Sequence, residues 1–124
     1  MTFQDVMDLN ESDFKKYLNQ MITTLPIEVT DEDSDMYRQV LGKLLIETNN
    51  HLSELTYLYG VAKFTVRSAK RNLSKEEYEN YVDKRDLIEV YMSTVKETNK
   101  TVSRLITLKQ MEISENSLCD FRKG

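Results

Sequence analysis

The chain predicts an all-α fold built on a long antiparallel helical hairpin, with an N-terminal helix packed on it and self-association expected. Three observations carry that expectation. Apolar residues recur at spacings of three and four over most of residues 35–113, the signature of amphipathic helix. Only one proline and three glycines interrupt 124 residues, too few for a turn-rich β fold. One strong helix-start signal, at Ser74, splits the periodic region in two. The chain divides into an acidic N-terminal helical segment (1–30), the hairpin (31–113, turn at 72–74) and a flexible tail (114–124).

The first element is expected from Ser12, whose hydroxyl suits an N-cap. Phe14, Tyr17, Leu18, Met21, Ile22 and Leu25 then mark one apolar face, and Pro26 ends it. Phe3, Val6, Met7 and Leu9 precede the cap as a short helical turn stapled to it. Asp31, Glu32, Asp33 and Asp35 supply negative charge where the next helix begins, a position that its dipole favours.

The second helix is expected from about Asp35 to Arg71. Its stripe includes Val40, Leu41, Leu44, Leu45, Thr48, Leu52, Leu55, Tyr57, Leu58, Val61, Ala62, Phe64, Val66 and Ala69, wide enough to need more than one neighbour. Gly42 and Gly60 weaken it by about 1 kcal/mol each relative to alanine. Asn49-Asn50-His51 is the least helix-favouring stretch and the expected place for a kink. Asn72 suits the C-terminal end, and Ser74 with Glu77 forms a capping-box pattern.

The third helix is expected from Lys75 to about Glu112. Ile88, Met92, Val95, Asn99, Val102, Ile106, Lys109 and Ile113 alternate steps of four and three, a heptad seam interrupted by Asn99 and Lys109. A polar residue on such a seam can set register. Asp83, Lys84, Arg85 and Asp86 read together as a solvated face.

Charge is unevenly distributed. Residues 1–35 hold nine acids against Lys15 and Lys16, a net of −7, whereas residues 36–124 carry a net of +3. A bipolar chain of this kind fits a nucleic-acid partner or attraction between head and hairpin. The lone cysteine, Cys119, permits no internal disulfide and suits a reducing compartment. The acidic N-terminus lacks the order of a signal peptide, and no apolar run is long enough to span a membrane, so a cytoplasmic location is expected.

Catalytic chemistry is not expected. His51 is the single histidine and has no acid or cysteine at metal-ligand spacing, and no nucleophile motif or phosphate-cradling glycine loop is present. No cofactor or metal is therefore expected. The strongest binding signal lies at the hairpin tip, where Lys63, Arg67, Lys70, Arg71 and Lys75 fall without an intervening acid, beside Tyr57, Tyr59 and Phe64. Bases for phosphates with aromatics for stacking are what a sequence-tolerant single-strand binder needs. Lys96, Lys100 and Arg104 form a second row. In the alternative reading, Asp31, Glu32, Asp33 and Asp35 imitate nucleic acid and occupy a protein's basic cleft.

Tyr78–Gln110, with Lys84-Arg85-Asp86 and the run Thr101-Val102-Ser103-Arg104-Leu105-Ile106-Thr107, resembles small helical proteins carried by tailed bacteriophages. The plan of the two hairpin helices resembles, more loosely, the phage recombination mediators. That resemblance implies an oligomeric, non-catalytic accessory protein in the host bacterial cytoplasm, binding single-stranded DNA and a recombination or replication partner. A phage inhibitor of a host enzyme or defence complex and a virion assembly or scaffold component are the alternatives it leaves.

Overall fold

The computed structural model describes the backbone of residues 1–22 and 34–123, with side chains through Ile22 and from Asp35 to Met111. Four helices follow in order: α1 (Phe3–Met7), α2 (Glu11–Asn19), α3 (Ser34–Asn72) and α4 (Lys75–Lys123). Helices α3 and α4 form the antiparallel hairpin, joined through Leu73-Ser74, and the α1–α2 head packs on it.

The head is set by its caps. The Thr2 hydroxyl accepts from the Asp5 amide at 3.2 Å, and the Asp5 carboxylate accepts from the Thr2 amide at 2.8 Å. The cap of α2 is Asn10 rather than Ser12: its side-chain oxygen accepts from the Asp13 amide at 2.8 Å. Asparagine caps as well as serine, and starting there places Glu11 and Asp13 in the first turn, where the dipole favours acids. The helix also stops at Asn19, before the expected end. The Met21 and Ile22 amides bond to the carbonyls three residues back, a tight turn that carries Met21 into the core. Leu25, Pro26, Asp31, Glu32 and Asp33 lie outside the described residues.

Helix α3 runs unbroken through Asn49-Asn50-His51, the expected place for a kink. Its polar groups find partners across the hairpin. The Asn99 side-chain amide donates to the Thr48 hydroxyl at 2.8 Å and to the Asn49 side-chain oxygen at 2.9 Å. Thr48, fully buried, turns its own proton to the Leu44 carbonyl at 2.8 Å. Asn99 thus pins Thr48 opposite itself on a seam that is intramolecular, and this pairing fixes the register of α4 against α3. At the tip, the Ser74 hydroxyl accepts from the Glu77 amide at 3.3 Å. Helix α4 continues to Lys123 instead of ending near Glu112. Neither proline nor glycine lies between Lys75 and Lys123 to stop it. In the Asn99–Thr48 register its last turns run about 15 Å beyond the first residue of α3.

Buried Val6, Met7, Phe14, Leu18 and Met21 of the head meet Leu55, Leu58, Ala62, Ile88 and Val95 of the hairpin in one cluster. The head therefore covers the half of the hairpin nearer the tip. Further from the tip, Leu41, Thr48 and Val102 are buried between the two long helices. A Cβ at Gly60 would meet nothing within 4 Å. Gly60→Ala is therefore expected to raise stability by about 1 kcal/mol, the helix-propensity difference, readable as a higher thermal midpoint. A fall would mean that the site is not free helix surface.

Candidate functional site

In the last turns of α3, Ala62, Val66 and Ala69 are buried. Thr65 turns to the head and donates to the Gln4 side-chain oxygen at 3.1 Å. What remains of the helix circumference carries Lys63, Arg67, Lys70 and Arg71, all exposed, and Lys75 is exposed at the start of α4. Tyr57 and Phe64 are each 68% exposed on the outward ridge of the same helix. The Lys63 ammonium stands over the Tyr59 ring, 4.9 Å from its centre. The tip is a basic and aromatic surface at the level of side-chain exposure as well as of sequence.

The second row is not a continuation of it. Lys96, Lys100 and Arg104 are exposed, and Lys100 approaches Glu97 at 3.8 Å. Asn99 lies opposite Thr48, so Arg104 is level with the stretch before Thr48, about 30 Å along the hairpin from Lys63. Lys96 is the member of that row that the fold joins to the first. A cleft of about 410 Å³ between α3 and α4 is lined by Leu52, Thr56, Tyr59, Glu89, Met92, Ser93 and Lys96. Tyr59, with Lys63 over its ring, and Lys96 thus border one concavity.

That cleft opens on the flank of the hairpin away from the head. On α3 the head-facing positions are Glu54 and Thr65, which bond Tyr17 and Gln4. At about 100° per residue, Leu52 and Tyr59 lie well round the helix from both. On α4 the head-facing positions are Lys84 and Tyr91, whereas Met92 and Lys96 face the cleft. In the sequence Tyr59 stands out as an aromatic near the bases, and Lys96 as part of a separate row. Thr56, Met92 and Ser93 carry no such signal, because only the pairing of the two helices makes them neighbours.

The sharpest departure from expectation is Lys84. Asp83 and Asp86 are solvated and Arg85 donates to Asp86 at 3.1 Å, but Lys84 is only 5% exposed. Its ammonium donates to the Met7 carbonyl at 2.6 Å and the Leu9 carbonyl at 2.5 Å, and lies 5.5 Å from the centre of the Phe14 ring. It thereby satisfies carbonyls at the C-terminal end of α1, where a cation is favoured. Burial pushes its pKa down, with the Asp8 carboxylate opposing. Three phenols complete the attachment. Tyr81 donates to Asp8 at 2.9 Å, Tyr17 to Glu54 at 2.6 Å, and Tyr91 to the Asn19 side-chain oxygen. The bond to Asp8 together with burial raises the Tyr81 pKa, and burial together with the bond to Glu54 raises that of Tyr17.

Of the acidic candidates, Asp31, Glu32 and Asp33 lie outside the described residues. Asp35 is exposed in the first turn of α3, and its carboxylate accepts from Arg38. His51 is half-buried, 3.4 Å from Glu47. The side chain of Cys119 is outside those described. Among the described residues no three His, Cys, Asp or Glu side chains group so as to hold a metal ion, and no helix is long and apolar enough to cross a membrane. Comparison with protein-family models, with curated proteins and with solved structures finds no match for this chain.

Proposed function

We propose that this protein is a non-catalytic accessory protein of the phage type that binds single-stranded DNA through the hairpin tip and serves a recombination or replication partner in the bacterial cytoplasm. The observation that carries the reading is the exposed, acid-free face of α3. Lys63, Arg67, Lys70 and Arg71 lie there beside Tyr57 and Phe64, two aromatic rings that are two-thirds exposed. Phosphate neutralisation supplies affinity, and stacking on Tyr57 and Phe64 supplies tolerance of sequence.

The test is a salt titration of binding to labelled single-stranded DNA, with mass read by light scattering on the same sample. Replacing Lys63, Arg67, Lys70 and Arg71 together by alanine is expected to weaken binding. It should also flatten the slope of log affinity against log salt by about 3, at roughly 0.7 for each phosphate no longer neutralised. Unchanged affinity and slope would overturn the assignment.

A second reading, binding to protein alone, is favoured by Met36, Ile46, Val90 and Met111, apolar side chains more than half exposed. Such side chains also suit self-association, as in an oligomeric mediator or scaffold. The head supplies half of the core cluster, so the acidic hypothesis is tested by neutralising Asp31, Glu32, Asp33 and Asp35 to their amides, not by deleting the segment. Lost capture of a basic protein partner with intact helicity would favour that reading.

A further inference from the structure

We propose that the cleft on the flank away from the head is a nucleobase subsite: a base enters over Leu52, Tyr59 and Met92 while phosphates on either side of it lie on Lys63 and Lys96. The inference rests on the single-strand reading and assigns that surface a specific seat. Its volume, about 410 Å³, is in the range of small-ligand pockets. Its floor is apolar and polarisable, with a half-buried phenol ring and a thioether, both good surfaces for a flat π system.

Charge complementarity selects the occupant. The two basic rows approach each other here, Lys63 over the Tyr59 ring and Lys96 on the opposite wall. Between them stands one acid, Glu89, which is exposed and, among the described residues, has no ion-pair partner. A carboxylate so placed repels phosphate from the middle of the cleft and accepts hydrogen bonds from an exocyclic amino group, as carboxylates do with cytosine. The Thr56 proton is already donated to the Leu52 carbonyl at 2.7 Å, so its oxygen, like the Glu89 carboxylate, can only accept from a base edge, whereas the Ser93 hydroxyl can donate or accept. The arrangement therefore places the base in the cleft, the backbone at its ends, and gives amino-bearing bases an advantage over thymine.

The experiment compares full-length protein binding an oligo(dC) with binding an oligomer of equal length made of abasic residues, at one low salt concentration. The wild type is expected to prefer the based strand by more than about tenfold, since the cleft seats one base in addition to those stacked on Tyr57 and Phe64. Ser93→Leu fills the cleft from an exposed position, and Tyr59→Leu removes the ring; each is expected to lower the ratio about tenfold, the worth of one stacked base, while leaving the salt slope unchanged. Leu108→Ala, half-exposed and far from both the tip and the cleft, is the control and should preserve the ratio. If Tyr59→Leu fails to fold, Ser93→Leu alone decides. A ratio that Ser93→Leu leaves unchanged rejects the subsite and leaves the single-strand reading standing; a wild-type ratio near one rejects the subsite together with stacking on Tyr57 and Phe64 and leaves phosphate contact alone. Absence of binding to either strand by the wild type overturns both.

Discussion

Phe14→Ala is expected to lower the unfolding free energy by about 4 kcal/mol, the loss typical of truncating a buried phenylalanine. Phe14 is 1% exposed and sits where α2 meets α4, with the Lys84 ammonium beside its ring. A total stability of about 5–15 kcal/mol for a domain of this size makes the change large. Its consequence should be uneven. The head is attached mainly through the tip-proximal core, whereas α3 and α4 also hold each other through Leu41, Thr48 and Val102. Amides of α1 and α2 should therefore lose hydrogen-exchange protection first, and trypsin should reach Lys15 and Lys16 before the hairpin melts. A loss under about 1 kcal/mol in urea unfolding would show that Phe14 does not anchor the head.

Lys84→Met is expected to cost about 2 kcal/mol. Two effects oppose one another. The thioether removes a buried ammonium and with it a desolvation cost, a change that in some proteins is neutral or stabilising. Against that, the buried Met7 carbonyl and the part-buried Leu9 carbonyl lose charge-assisted partners at 2.6 and 2.5 Å, and a buried acceptor left unpaired costs about 1–3 kcal/mol. The second effect wins because methionine preserves the stem's packing but offers the carbonyls nothing. The pH dependence provides a separate check. Burial holds the Lys84 pKa in the folded chain below its ordinary value of 10.5. Between those two values the unfolded chain binds more protons, so the wild type gains stability from this group as pH rises through the window. Below the folded pKa the desolvation cost is fully present. The gap between wild type and Lys84→Met should therefore widen as pH approaches 10.5. A variant as stable as the wild type at neutral pH, with a parallel pH profile, would reject the role given to Lys84.

Much of this architecture is legible without coordinates because it is local. The turn between Asn72 and Lys75, the approximate ends of α3 and the basic face of its last turns follow from three- and four-residue spacings and from caps that act within one turn. The departures at the helix ends are local too. Asn10 caps α2 in place of Ser12, α2 stops early, and α4 runs on to Lys123 because no breaking residue intervenes. Asn49-Asn50-His51 reads as a weakness because intrinsic propensity is low there. In the fold, Asn99 reaches across from α4 and gives Thr48 and Asn49 partners, so tertiary hydrogen bonding overrides propensity.

Lys84 and the cleft lie beyond sequence reading for a different reason. Flanked by Asp83, Arg85 and Asp86, Lys84 has the neighbours of a solvated residue, and its partners lie more than 70 residues away at Met7 and Leu9. By itself the sequence determined that this chain makes two long helices, where they turn, and that one face at the turn is basic and aromatic. Only the tertiary structure decided which flank of the hairpin the head covers, and so which lysines share the open cleft. Helical period is written in neighbouring residues, whereas the docking of the head depends on contacts between distant ones, whose pairing no local pattern encodes.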